Sequence, residues 1–317
     1  CCRDSVYFFF MCVQSWLIMQ FRFGRNVQFD KPHLLTIGNF DGVHLGHQKV
    51  IEQAQRVARQ QQLPVTTLLF EPQPREYFAQ IALRQAPVRL MSLKSKVIKL
   101  ADLGVDMVWC LKFSDIHSIN AEEFLQRLVV DKSVKALVVG DDFRFGCDRL
   151  GDFDFLTKMA TTLSFELERS TTHLYNDTRI SSSRIRNALE KNDFALAEGL
   201  LGRPYSLQGR VSYGRQLART LAMPTANIRL RYTPPVHGVY GCVVELPDGR
   251  LKNGVANIGT RPTFSGQGVW LEVHLHDYSG QLYGQELTVK PKVFVRPEQK
   301  FANISLLESQ IHDDNAQ

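Results

Sequence analysis

Two histidines three residues apart, His44 and His47, straddle Gly46 in the stretch LLTIGNFDGVHLGHQKVI. An apolar run ends at Gly38, a turn follows, and the segment after His44 has helical spacing. A strand, a glycine turn and a helix start in that order aim backbone N–H groups and the positive end of a helix dipole at one point, where a phosphate can sit. Imidazoles at that point can donate hydrogen bonds as charge builds on the phosphate. A βα turn whose histidines merely cap the helix would account for HxGH alone, but the full GNFDGVHLGHQ context favours the phosphate.

Other segments supply matching chemistry. ISSSRIRNAL offers the hydroxyls of Ser181, Ser182 and Ser183 and the guanidiniums of Arg184 and Arg186 at a helix start. An N-cap with surface arginines is the plain reading, and a clamp on the β- and γ-phosphates of a nucleotide is the functional one. FEPQPRE brings Phe70, Pro72 and Arg75 in a stretch whose prolines predict a stiff loop. GDDFRFGCDRLGD packs Asp141, Asp142 and Phe143 among glycines, a mixture that suits a planar heterocycle. In the C-terminal third, Gly209 and Gly214 bracket a strand-turn whose backbone can approach a phosphate chain. Thr225 and Asn227 in PTAN are neutral oxygen ligands of the kind Mg²⁺ accepts beside phosphates. Glu272, between Leu271 and Val273 in a strand, is a candidate base for a hydroxyl proton, or else a solvent-facing strand residue. Neither a Walker A sequence nor a GxGxxG fingerprint occurs, nor a serine elbow. Phosphate donors without a nucleophile fit direct attack of one phosphate on another, with Mg²⁺ bridging the triphosphate.

Elements must hold these groups in place. From His33 to about Phe194, β-rich runs (HLLTIG, VTTLLF, MVWCLKF, ALVVG, LSFELE) alternate with helical stretches at 46–62, 92–103, 121–131 and 152–162. Such alternation predicts a parallel sheet with helices on both faces and ligands at the carboxyl ends of the strands. Asn120 before Ala121-Glu122-Glu123 predicts an N-cap. From Gly209 onward, Val/Ile alternation broken by Pro-Pro, Asp-Gly and Ser-Gly turns predicts an antiparallel barrel or sandwich, and 306–312 a final helix. The helix FALAEGLLG, ending at Gly202 before Pro204, marks the boundary.

Composition narrows the class. The 317 residues, 44% hydrophobic and 22% charged, suit two soluble globular domains. A net charge of +6 with pI near 9.0 is compatible with an anionic ligand, but the basic residues form no block. A barrel reading single-stranded nucleic acid would need a stacking stripe, and Tyr213, Tyr240 and Phe264 are too dispersed to make one. Six cysteines without a CxxC pair support neither zinc nor a disulfide framework; Cys110, Cys147 and Cys242 fit a reducing cytoplasm. No apolar run reaches membrane-spanning length. Residues 1–18 read as a non-native N-terminal extension, with translation starting at Met19.

GNFDGVHLGHQ, FEPQP, VVGDDFRFG and ISSSRIR resemble the adenylyltransferase half of bacterial bifunctional riboflavin kinase/FAD synthetases. GRVSYGRQLARTLAMPTANI, GVANIGTRPTF, LEVHL and VRPEQKF resemble their kinase half, so the similarity runs from about Met19 to Gln317. The resemblance implies a Rossmann-like α/β nucleotidyltransferase-type domain over 19–187, a linker helix over 188–203 and a six-stranded antiparallel barrel over 204–317. It implies that riboflavin and ATP give FMN, and that FMN and ATP then give FAD and pyrophosphate, with Mg²⁺, on a monomer or weak oligomer that takes only small molecules and binds neither nucleic acid nor membrane. His44, His47 and Arg186 would act on the adenylyl transfer, and Gly38, Asn39, Phe40, Asp41, Gly46, Ser181, Ser182 and Ser183 would bind its nucleotide. Phe70, Pro72, Asp141, Asp142, Phe143 and Arg296 would line flavin sites. Gly209 and Gly214 would bind the second nucleotide, Thr225 and Asn227 the metal, and Glu272 would be the kinase base. Where the family favours LGRxLGFPTAN, this chain has Ala218, Ala222 and Met223, and Ser183 stands where Thr is more usual. An adenylyltransferase with a weakened kinase half is therefore the alternative reading.

Overall fold

The computed structural model describes residues 8–11, 18–147, 149–212, 225–263 and 266–299. Two compact units emerge: Cys1–Pro87 with Leu93–Ser181, and Val88–Ser92 with Ser182–Gln317.

The first unit runs β1 (Phe8–Met11), β2 (Ile18–Phe23), β3 (His33–Ile37), α1 (Leu45–Gln61), β4 (Val65–Glu71), α2 (Pro74–Ile81), α3 (Leu93–Asp102), β5 (Met107–Lys112), α4 (Ala121–Gln126), β6 (Val134–Gly140), α5 (Phe153–Leu163), β7 (Glu166–Ser170), β8 (Leu174–Tyr175) and β9 (Thr178–Arg179). The main sheet has the order β1-β2-β5-β4-β3-β6-β7; all neighbours are parallel except β1 and β2. Alternation along the strands sends side chains to two cores. Leu34, Val65, Ala136 and Val138 meet Ala54, Val57 and Ala58 of α1 on one face. Leu35, Ile37, Leu68, Leu137 and Val139 meet Phe124, Leu125 of α4 and Leu156 of α5 on the other. The predicted parallel sheet covered on both faces is thus present.

Three local expectations change. FEPQPRE is only partly a loop: Pro74 opens α2 at a position where its missing N–H is harmless, and Glu76 accepts the Gln73 N–H at 2.9 Å in a capping box. The run LSFELE begins too early, because Leu163 still belongs to α5 and Ser164 turns left-handed (φ 54°) before β7 starts at Glu166. The segment 121–131 is helical but not uniformly α: after α4, Arg127–Asp131 widens into a π-turn. The predicted Asn120 cap is present, its Oδ1 accepting the Glu123 N–H at 2.9 Å.

The second unit holds α6 (Ser182–Glu190), α7 (Phe194–Leu201), β10 (Leu207–Ser212), β11 (Thr225–Leu230), β12 (Gly238–Glu245), β13 (Leu251–Thr263), β14 (Gly266–Leu275) and β15 (Glu286–Arg296). The six strands close into an antiparallel barrel, β10-β11-β14-β13-β12-β15. Val211, Ala226, Ile228, Val244, Ala256, Ile258, Leu271, Val273, Leu287 and Val289 fill it, each 2% exposed or less. The helices fasten to it through Tyr240 of β12: its hydroxyl lies 3.0 Å from Asn192 Oδ1 in the α6–α7 turn and accepts the His237 N–H at 3.2 Å. Gly202 caps α7 in the left-handed region (φ 71°), as the sequence predicts. The predicted helix at 306–312 lies outside the described residues.

Candidate functional site

The turn after β3 is built around residues that L-amino acids rarely accommodate. Phe40 (φ 45°) and Val43 (φ 41°) adopt left-handed backbone on either side of Gly42 (φ 83°), and both bulky side chains are buried. Such strain persists only where the surroundings over-determine it. Here Phe40 packs under Gly38, where an added Cβ would lie 3.0 Å from the ring. Lys96 of α3, 2% exposed, also holds the turn: its ammonium donates to the Asn39 carbonyl at 2.6 Å. Asp41 is buried beside them.

His44 is the N-cap of α1. Its Nδ1 accepts the His47 backbone N–H at 3.2 Å, which leaves the proton of a neutral ring on Nε2. The rings of His44 and His47 stack at 3.6 Å, tilted by 15°, and Phe40 packs on His47 at 5.0 Å. Gly46 fits beneath the pair, where a side chain would crowd the His44 ring at 3.2 Å. Two imidazoles therefore sit at the positive end of a 17-residue helix, at the carboxyl edge of the sheet.

Along the same edge, aromatic rings gather. Phe70 at the end of β4, Tyr77 and Phe78 of α2, and Phe113 just after β5 make edge-to-face pairs at 5.4–5.8 Å, with His117 5.0 Å from Tyr77. Phe78 is 53% exposed. Pro72 lies between Phe70 and α2. Of this group only Phe70 and Pro72 were legible as site residues; the ring spacing of Tyr77 and Phe78 becomes visible once α2 is known to be a helix. After β6, Asp141 and Asp142 do not stand alone: Arg179 of β9 reaches Asp141 at 3.3 Å and Asp142 at 2.8 Å, and the Thr172 hydroxyl donates to Asp141. Phe143 stacks on Phe145 at 5.3 Å, and the loop closes through a bridge between Phe145 and Gly151. Ser181 is the last residue of this unit. Ser182 and Ser183 open α6 and Arg186 follows in its second turn, in the unit that carries the barrel.

A second constellation stands on the outer face of the barrel. Asn227, Glu272 and Asn257 are register partners on β11, β14 and β13 and project opposite to the buried Ala226, Leu271 and Ile258. Thr225, two residues from Asn227, pairs in register with His274. Glu272 forms an ion pair with Arg261, whose guanidinium lies 5.9 Å from the Trp270 ring. Gly209 lies on β10 against Ile228, where a Cβ would come to 2.4 Å. Arg296 ends β15, and the chain beyond it lays the Glu298 carboxylate against Gly259 of β13. Gly214, with Ala218, Ala222 and Met223, lies outside the described residues. Asn257 and Arg261 sit in the GVANIGTRPTF motif but gave no signal beyond it. Among the described residues no group of three or more His, Cys, Asp or Glu side chains could hold a metal ion. A cation at Thr225 and Asn227 would thus share neutral protein oxygens with phosphate, which suits Mg²⁺.

Comparison with known proteins matches the two halves of the chain separately. The family model for FAD synthetase matches residues 26–184, and that for riboflavin kinase matches 201–317. The bifunctional riboflavin kinase/FMN adenylyltransferase of Pseudomonas fluorescens is 46% identical over 285 residues, covering 89% of this chain and 90% of its own. That of Escherichia coli K12 is 45% identical, with the same coverage. Among solved structures, a crystal structure described as a macrolide-efflux protein from Streptococcus pneumoniae superposes with a TM-score of 0.73 at 28% identity, covering 92% of this chain and 95% of that one. No helix among the described residues is long and apolar enough to cross a membrane. The chain belongs to the bifunctional riboflavin kinase/FMN adenylyltransferase family.

Proposed function

We propose that the two constellations divide two ATP-dependent steps on one vitamin. The chain is a riboflavin kinase and an FMN adenylyltransferase. The barrel unit moves the γ-phosphoryl group of ATP to the primary hydroxyl of riboflavin, giving FMN and ADP. The α/β unit then joins the FMN phosphate to the α-phosphorus of a second ATP, and pyrophosphate leaves.

The observation that carries the adenylylation reading is the stacked histidine pair at the start of α1. With Nδ1 committed to the cap, His44 offers its Nε2 proton as a donor to the α-phosphate, whose negative charge grows as the FMN oxygen attacks. His47 and the helix dipole reinforce it, and the turn from Gly38 through Asp41 with Gly46 cradles the nucleotide. Ser181, Ser182, Ser183 and Arg186 hold the departing phosphates, which need counter-charge but no covalent partner. The flavin ring lies against the Phe70–Tyr77–Phe78–Phe113 cluster near Pro72, and Asp141, Asp142 and Phe143 border its pocket.

In the barrel, Glu272 accepts the proton of the ribityl 5′-hydroxyl as that oxygen attacks phosphorus; in the structure the same carboxylate pairs with Arg261. Thr225 and Asn227 would hold Mg²⁺, which would supply counter-charge to the triphosphate. Gly209 and Gly214 let the backbone close on ATP, and Arg296 borders the flavin. The same reading takes the protein to be cytoplasmic, a monomer or weak oligomer, and without nucleic-acid or membrane partners. Mutually exclusive losses test the division: His47→Ala should abolish FAD formation and spare FMN formation, and Glu272→Gln should stop FMN formation yet leave FAD synthesis from supplied FMN. Equal damage to both steps by either change would overturn it. Ala218, Ala222 and Met223 favour the second reading, a weakened kinase half, which predicts slow FMN formation from riboflavin beside normal FAD formation from FMN.

A further inference from the structure

Two atoms near the barrel site lack what their chemistry needs. Asn257 Oδ1 is shut off from water and meets no donor among the described residues, and Trp270 Nε1 is likewise buried and meets no acceptor. Buried polar atoms are nearly always paired, so an unpaired acceptor and an unpaired donor on one surface point to a ligand that completes them. Both flank Glu272. Asn257 is its register partner on β13, and Trp270 lies two residues before it on β14, so all three share the outward face, and Asn257 and Trp270 are diagonal neighbours. Asn227 occupies the matching position on the other side of Glu272, on β11.

We infer that Asn257 binds the ribityl chain of riboflavin and so fixes the primary hydroxyl on Glu272. The inference rests on the reading of Glu272 as the kinase base. A base in phosphoryl transfer stands between the phosphoryl donor and the attacking hydroxyl. With the metal and ATP assigned to the Thr225–Asn227 side, the hydroxyl must come from the opposite side, which is where Asn257 stands. A polyol suits the vacancy: each secondary hydroxyl both donates and accepts, and so pairs with an amide and with an indole N–H together. The Arg261 guanidinium paired with Glu272 is half exposed, so the ribityl chain can take its place on the carboxylate. No charge is required of Asn257; its part is to hold the substrate in register.

The test uses the full chain with Asn257→Ala. The riboflavin KM for FMN formation should rise roughly 5- to 10-fold, the loss of one neutral hydrogen bond, while the ATP KM and FAD synthesis from supplied FMN stay unchanged. Lumiflavin, the same ring with a methyl group in place of the ribityl chain, serves as a competitive inhibitor of FMN formation. Its inhibition constant should be the same for wild type and variant. An unchanged riboflavin KM, or a lumiflavin constant that worsens by the same factor, would overturn the inference. If Asn257→Ala does not fold, Asn257→Ser carries the same comparison. Glu272→Gln separates the two levels: full FMN formation by that variant sinks the kinase reading, whereas its loss alongside an unaffected Asn257→Ala sinks the ribityl contact alone.

Discussion

One imidazole does two things at the start of α1. By accepting the His47 N–H, His44 both satisfies an orphan donor of the helix and fixes the tautomer that faces outward. The sequence offered this cap as the plainer reading of HxGH; the bond itself uses the backbone N–H three positions on, which any residue there would supply. The partners of Asp141 and Asp142 were not announced, since Arg179 comes from a hairpin nearly forty residues later and nothing local marks it. A third histidine reports on stability. His33, 1% exposed and stacked on Phe29 at 4.2 Å, has its pKa lowered from 6.5 to about 4 because burial outweighs a contact with the Lys31 backbone that raises it. The folded state resists a proton that the unfolded chain takes, so stability is complete above the unfolded value and drains away as pH falls from 6.5 toward 4. The loss is on the order of 3 kcal/mol at the acid end. His33→Phe should flatten this dependence, seen as a smaller drop in urea midpoint between pH 7.5 and pH 5 than in wild type.

Elements were legible where periodicity was unopposed. β3, β4, β5 and α1 fall within one or two residues of their expected spans, because each carries a buried face that only one period satisfies. Where proline could mean either a stiff loop or a helix start, the pattern was ambiguous, and α2 with its two aromatic rings was hidden. Lys96 was hidden for another reason: a lysine at helical spacing among apolar residues reads as a solvated face, yet here it reaches the Asn39 carbonyl inside the fold. The barrel offers an element-scale prediction. Gly254 of β13 faces the β14 backbone, where a Cβ would lie 2.3 Å from the His274 carbonyl oxygen. Backbone cannot give way as a side-chain end can, so Gly254→Ala should pry the two strands apart at a cost of about 1–3 kcal/mol. The strands concerned carry Asn257 and Glu272. FMN formation should therefore fall by more than FAD synthesis from supplied FMN, with a lower melting temperature in calorimetry.

The whole chain presents one vitamin to two phosphate chemistries, and both of them consume ATP. Among the described residues, neither constellation contains a group of three or more His, Cys, Asp or Glu side chains that could hold a metal ion by itself. Magnesium should accordingly arrive with ATP and leave with it. Purified protein given riboflavin, ATP and Mg²⁺ should release FMN first and FAD after a lag, followed by chromatography. Adding EDTA in excess should stop both products, and returning Mg²⁺ should restore both without refolding. The division into two units was visible in the change from alternating helix and strand to turn-punctuated strands, and the place of α6 was not, since a helix after the last parallel strand can pack on either side of a boundary. It packs on α7, and through Asn192 the pair is pinned to the Tyr240 hydroxyl in the barrel wall. Ser182, Ser183, Arg184 and Arg186 of ISSSRIR are consequently anchored to the domain that makes FMN, and whatever loosens that wall loosens their footing too.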